Sequence, residues 1–140
     1  MKILVPVDGS ANSLKAVENA INLAKSNPPS TIVLMAAATE IPDLAEGRYI
    51  YEKMKAQAES ALAKAKETAQ GKGVTAEVLL ATGPSPAEEI VEVAKKEQAD
   101  LIVIGSRGLG AKTPSFIGST ASKVVTYSPC SVLVVKLQED

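Results

Sequence analysis

The stretch Ile102–Ser119 reads IVIGSRGLGAKTPSFIGS. It opens as an apolar strand and breaks at Gly105. A glycine-rich loop carrying Arg107 and Lys112 follows, and a new helical pattern starts at Gly118-Ser119. An unbroken apolar run suits a parallel strand buried on both faces. A strand, a glycine loop and a helix start are also the parts from which a phosphate cradle is built. Glycines let the backbone approach a ligand, and the N–H groups of the helix start point at the anion.

Working outward, the same alternation of apolar strand and helix runs through the chain. Ile3–Val7 is a first strand ended by Asp8-Gly9-Ser10. In the helix after it, capped by Ser10 or Asn12, Leu14, Val17, Ile21 and Ala24 recur at helical spacing and predict a buried stripe. Asn27-Pro28-Pro29-Ser30 stops that helix. Thr31–Ala38 is a second strand. A long helix over about Arg48–Gln70 follows, with Met54, Ala58, Ala61, Leu62, Ala65 and Ala69 as its stripe. Its Lys and Glu residues read as a solvated face. Val74–Ala81 alternates more and predicts a strand near a sheet edge. Ala87, Ile90, Val91 and Ala94 mark a third helix, whose Glu88, Glu89 and Glu92 answer the helix dipole. Leu101–Ile104 is the fourth strand, Ser119–Tyr127 the last helix, and Val132–Val135 the fifth strand.

Strands alternating with helices mean right-handed parallel crossovers. The expected fold is α/β: one doubly wound, Rossmann-like domain over residues 1–140, with a five-stranded parallel sheet in the order 3-2-1-4-5 and helices on both faces. In such sheets a ligand sits beyond the carboxyl ends of the strands where the order reverses. That crevice lies between strands one and four. The Asp8 turn and the glycine loop, far apart in sequence, are therefore expected to meet across it.

Composition narrows the chemistry. The 140 residues contain no histidine, which removes Ser-His-Asp triads, Cys-His pairs and His-ligated metals. With 15 basic and 16 acidic residues the formal net charge is -1, and aromatic residues are 3%. Neither figure suits a dedicated nucleic-acid binder. The single Cys130 has no disulfide partner in the chain and reads as a core residue. The first apolar run is too short for a signal peptide or a membrane span, so a cytoplasmic protein without membrane contact is expected.

Two familiar phosphate motifs fail on the loop. A P-loop needs its Lys directly after the second glycine, and here Ala111 intervenes between Gly110 and Lys112-Thr113. A dinucleotide fingerprint starting at Gly108-Leu109-Gly110 has Thr113 where the third glycine belongs, and it follows the wrong strand. What fits is G-x-x-G-x9-G-S: Gly105, Gly108, Gly118 and Ser119. With Val5-Pro6-Val7-Asp8-Gly9-Ser10 at the start and Ser128-Pro129-Cys130-Ser131-Val132-Leu133-Val134-Val135 at the end, the chain resembles the universal stress protein family, in particular its ATP-binding branch.

The resemblance implies a site residue by residue. Asp8 faces the ribose or the phosphate–metal region, a role compatible with helix capping. Pro6 and Val7 line the base pocket, with Ala37 and Ile104 completing the cofactor-binding set. Gly105 and Gly108 let the backbone wrap ribose and phosphates. Gly118, Ser119 and Thr120 bind phosphate, and Arg107 and Lys112 add charge. The implied ligands are ATP, or AMP or ADP, with Mg²⁺ or Mn²⁺ on the phosphates and Asp8. The implied role is a nucleotide-dependent stress-response sensor or regulatory module with no catalytic residue. A slow ATPase and a nucleotide-independent interaction protein are the alternatives, and an unknown protein partner fits either binding reading. An exposed apolar fifth strand invites pairing, and the resemblance likewise implies a homodimer through Val132–Val135.

Overall fold

The computed structural model describes residues 1–39, 45–108 and 117–136. Its elements are β1 (Lys2–Pro6), α1 (Ala11–Ser26), β2 (Thr31–Thr39), α2 (Ala45–Gly71), β3 (Ala76–Gly83), α3 (Pro86–Lys96), β4 (Leu101–Gly105), α4 (Ser119–Tyr127) and β5 (Ser131–Val135). The sheet order is β3-β2-β1-β4-β5, and every pairing is parallel. This is the expected doubly wound α/β arrangement.

The unbroken apolar strands are explained by burial on both faces. Ile3, Val5, Ile32, Leu34 and Val103 point to one face, under α1 and α2. Leu4, Val33, Met35, Ile102 and Ile104 point to the other, under α3 and α4. Each fully buried Ile, Leu or Val contributes about 1.5–3 kcal/mol. With one Phe and no Trp in the chain, these aliphatic layers carry the core. Cys130 is half-buried and packs against the second layer.

Two local readings need correction. Leu14 is 43% exposed, and the inward face of α1 is instead Asn12, Ser13, Ala16, Val17, Ala20, Ile21 and Ala24. The first turn of α1 begins beyond the end of β1, and helical side chains lean toward the N-terminus, away from the sheet. Val74 belongs to the end of α2, not to β3. Gly73 adopts φ +77°, its N–H bonds Gln70 O at 3.0 Å, and the Val74 N–H bonds Ala69 O at 2.9 Å. That pair of bonds is a Schellman cap, with Val74 and Ala69 in the same apolar cluster. The ladder starts two residues later and extends to Thr39↔Gly83.

The switch point is built by unequal pairing. β1 pairs β2 over five positions, Lys2↔Thr31 to Pro6↔Met35. It pairs β4 only at Ile3↔Leu101 and Leu4↔Ile102. The carboxyl ends of β1 and β4 are thus left to line a crevice.

Candidate functional site

A cavity of about 610 Å³ opens at those strand ends. Its size is that of a small-molecule site. Pro6, Val7, Asp8, Ala37, Ile104, Gly105, Arg107, Gly108, Gly118, Ser119 and Thr120 all line it. Every site residue expected from the sequence and falling within the described residues is therefore brought to one cavity. Lys112 lies outside the described residues.

The wall after β1 is held by short-range bonds. Ser10 is the N-cap of α1, its Oγ accepting from the Ser13 N–H at 3.1 Å. Asp8 Oδ1 accepts from the Ser10 N–H at 2.9 Å, and the Asp8 N–H donates to Ser13 Oγ at 3.3 Å. Capping thus falls to Ser10, and Asp8 braces the turn before it. The half-buried Asp8 carboxylate points at the opposite loop: a Cβ built on Gly108 would lie 2.6 Å from Asp8 Oδ2. The acidic turn and the glycine loop do meet.

The opposite wall is the start of α4. Gly118 is its N-cap, and among the described residues no side chain caps it. The Gly118 N–H donates to Ser106 O at 2.6 Å, which brings the helix start to the end of β4. A Cβ on Gly118 would meet that carbonyl at 3.2 Å. Gly105 is hemmed in from behind: a Cβ there would sit 3.0 Å from the backbone C and O of Asn12. None of these three glycines has a positive φ; close backbone approach is what constrains Gly105 and Gly118, while Gly108 faces the Asp8 carboxylate.

Several cavity residues were not read from the sequence as site residues. Met54, Gln57 and Ala58 of α2 form one flank, and Pro86 and Ile90 of α3 reach in from the other face. Gln57 departs from the apolar stripe of α2, the one trace of its place that the sequence carries. Ser13 and Ser106 are buried polar residues on the lining. Among the described lining residues Asp8 is the sole carboxylate and Arg107 the sole cation. A shallower groove of about 420 Å³ adjoins the cavity along α2, sharing Asp8 and Gln57 and carrying Lys53 and Lys64. Among the described residues no group of three His, Cys, Asp or Glu could hold a metal alone.

Such a cavity offers one polar helix end, one carboxylate and apolar strand ends. That combination suits a ligand with an anionic end, a hydroxylated middle and a flat apolar part. Comparison with known proteins agrees with the topology. Universal stress protein MJ0531 of Methanocaldococcus jannaschii is 37% identical over 139 residues, covering 96% of this chain and 81% of that protein. The structure of universal stress protein UspA from Lactobacillus plantarum superposes with a TM-score of 0.83 at 25% identity, over 97% of each chain. A universal stress protein solved in complex with cAMP superposes with a TM-score of 0.77 at 28% identity, over 99% of this chain and 98% of that one. The profile of the universal stress protein family matches residues 1–136, and the chain belongs to that family.

Proposed function

We propose that this chain binds an adenine nucleotide, ATP or AMP, in the cavity between β1 and β4 and acts as a nucleotide-dependent regulatory protein of the stress response. The observation that carries this reading is the α4 start, which no described side chain caps, opening onto the same cavity as Asp8. A helix end whose N–H groups face a cavity is an anion site. Gly118, Ser119 and Thr120 hold the phosphates, Gly105 and Gly108 admit the ribose, and Asp8 takes its hydroxyls. Pro6, Val7, Ala37 and Ile104 contact the base. Arg107 adds positive charge. The relative solved with cAMP, 28% identical, supports an adenine ligand.

Mg²⁺ or Mn²⁺ enters with the phosphates, whose oxygens and the Asp8 carboxylate are hard ligands. The lining carries no second carboxylate among the described residues, so metal affinity depends on the nucleotide. Holding is favoured over hydrolysis. Cleavage needs a group that orients or deprotonates water. The chain has no His, and Asp8 is engaged with the Ser10 N–H.

The chain pairs with a second copy through the edge strand β5. Leu133 is 39% exposed there, and Val125 and Tyr127 of α4 add exposed apolar surface. Among the described residues no helix is long and apolar enough to cross a membrane. A cytoplasmic location is part of the proposal and rests on the sequence reading.

The test is mass analysis of the small molecule released on denaturing the purified protein, then calorimetry with ATP and AMP. An adenine nucleotide in the first or a saturable heat in the second is expected. Neither, at millimolar ligand, ends the reading. Phosphate release lost in Asp8→Ala would move the protein from sensor to enzyme.

A further inference from the structure

We infer that Asn12 is a positioning residue of this site, tying the backbone that enters the glycine loop to the last carbonyl of β5, so that nucleotide occupancy and the order of the C-terminal edge strand are linked. The inference rests on the nucleotide reading above. Asn12 sits in the first turn of α1 yet caps nothing, and it is 5% exposed. Its carboxamide is used at both ends. Oδ1 accepts from the Arg107 N–H at 2.6 Å and from Ser106 Oγ at 3.2 Å. Nδ2 donates to Val135 O at 3.1 Å. The same carbonyl accepts the Ser106 N–H at 2.8 Å. Only this orientation of the amide matches an N–H on one side and a carbonyl on the other.

The position is made possible by Gly105, since a Cβ there would lie 3.0 Å from the Asn12 backbone. Arg107 lines the cavity, and its amide is the one Asn12 holds. A ligand that fixes this backbone therefore favours the bonded state of Val135, and order in β5 favours the ligand by the same factor. A buried carboxamide satisfied by three hydrogen bonds from two other chain segments is costly to replace, because an apolar side chain strands each partner.

The test uses the full chain and three variants. Asn12→Ala removes both arms. Asn12→Asp keeps the acceptor for Arg107 and loses the donor to Val135. Val17→Ala, on the same buried face of α1, lowers stability without touching the loop. ATP affinity is measured by calorimetry, and amide exchange is followed at Ser106 and Arg107 with and without ATP. In the parent protein ATP slows exchange at Ser106. Asn12→Ala weakens ATP at least about tenfold relative to Val17→Ala and speeds Arg107 exchange about tenfold, each near one hydrogen bond in size. In Asn12→Asp the Arg107 amide stays slow, while ATP no longer slows Ser106.

Asn12→Ala binding ATP as tightly as Val17→Ala, with Arg107 exchange unchanged, overturns the inference. If Asn12→Ala does not fold, Asn12→Asp decides: ATP still slowing Ser106 as in the parent overturns it equally. A parent protein that binds no ATP or AMP removes the nucleotide reading and this inference with it.

Discussion

The two walls of the cavity are held in opposite ways. After β1, the bonds among Asp8, Ser10 and Ser13 span two, three and five residues. After β4, the bonds that fix Ser106 and Arg107 reach Asn12 across 94 and 95 residues, and Asn12 reaches Val135 across 123. The first wall is a local turn that any helix start of this sequence could form. In the second, these bonds at Ser106 and Arg107 exist only once α1, β4 and β5 are packed. A nucleotide held between them would rest on one side that is fixed locally and one that depends on the whole fold.

That contrast can be broken from either side. The largest effect is expected from Gly105→Ala. Its Cβ would press on backbone atoms of Asn12, which cannot rotate away. Overpacking of this kind costs about 1–3 kcal/mol, so urea unfolding shifts by that amount and ATP affinity falls with it. An unchanged affinity would mean the loop tolerates a displaced β4. A smaller effect is expected from Ser10→Ala, which removes a local cap worth about 1 kcal/mol, while Ser10→Gly loses only a few tenths. Urea unfolding of the two variants side by side checks this. Equal losses would show that Ser10 matters beyond capping. The smallest change in stability, within about 0.5 kcal/mol, is expected from Leu133→Lys on the exposed side of β5. Light scattering of that variant should report monomers. Val134→Lys is the blunter version of this test, because Val134 packs partly against the core under α4. A dimer that survives Leu133→Lys puts the contact elsewhere.

The same division decides what could be read from the sequence. Strand and helix order followed from apolar runs and helical spacing, which are local, and the sheet order was the economical doubly wound arrangement, which the structure shows. The meeting of the Asp8 turn and the glycine loop followed from the switch point, the other expected lining residues followed from the family resemblance, and the α2 and α3 flanks did not follow from either. Long-range geometry was not legible. Asn12 looked like a second candidate cap, since nothing in residues 10–14 reports that a carbonyl at Val135 is near. Gly105 was read as letting the backbone wrap a ligand and Gly118 as binding phosphate, whereas each is also constrained by another part of the chain. Leu14 kept the helical period of a core residue although its turn lies beyond the sheet. Gly71 and Gly73 read as the end of α2, and the place of Val74 in the cap was readable too, since a glycine past a helix end followed by an apolar residue is its signature. The apolar run at Val74 outweighed it.

The two bonds accepted by Val135 also set an order of events during synthesis. The ribosome makes the chain from its N-terminus, and early segments can settle first. The Asp8–Ser13 turn is complete once residue 13 has been made. The closure at Ser106 and Asn12 needs a carbonyl that is translated after all of α4 and nearly all of β5. A nascent chain stopped before residue 135 holds every cavity-lining residue named above and still lacks the clasp that shapes one wall. On the proposed reading, tight nucleotide binding is therefore acquired only after residue 135 has been made.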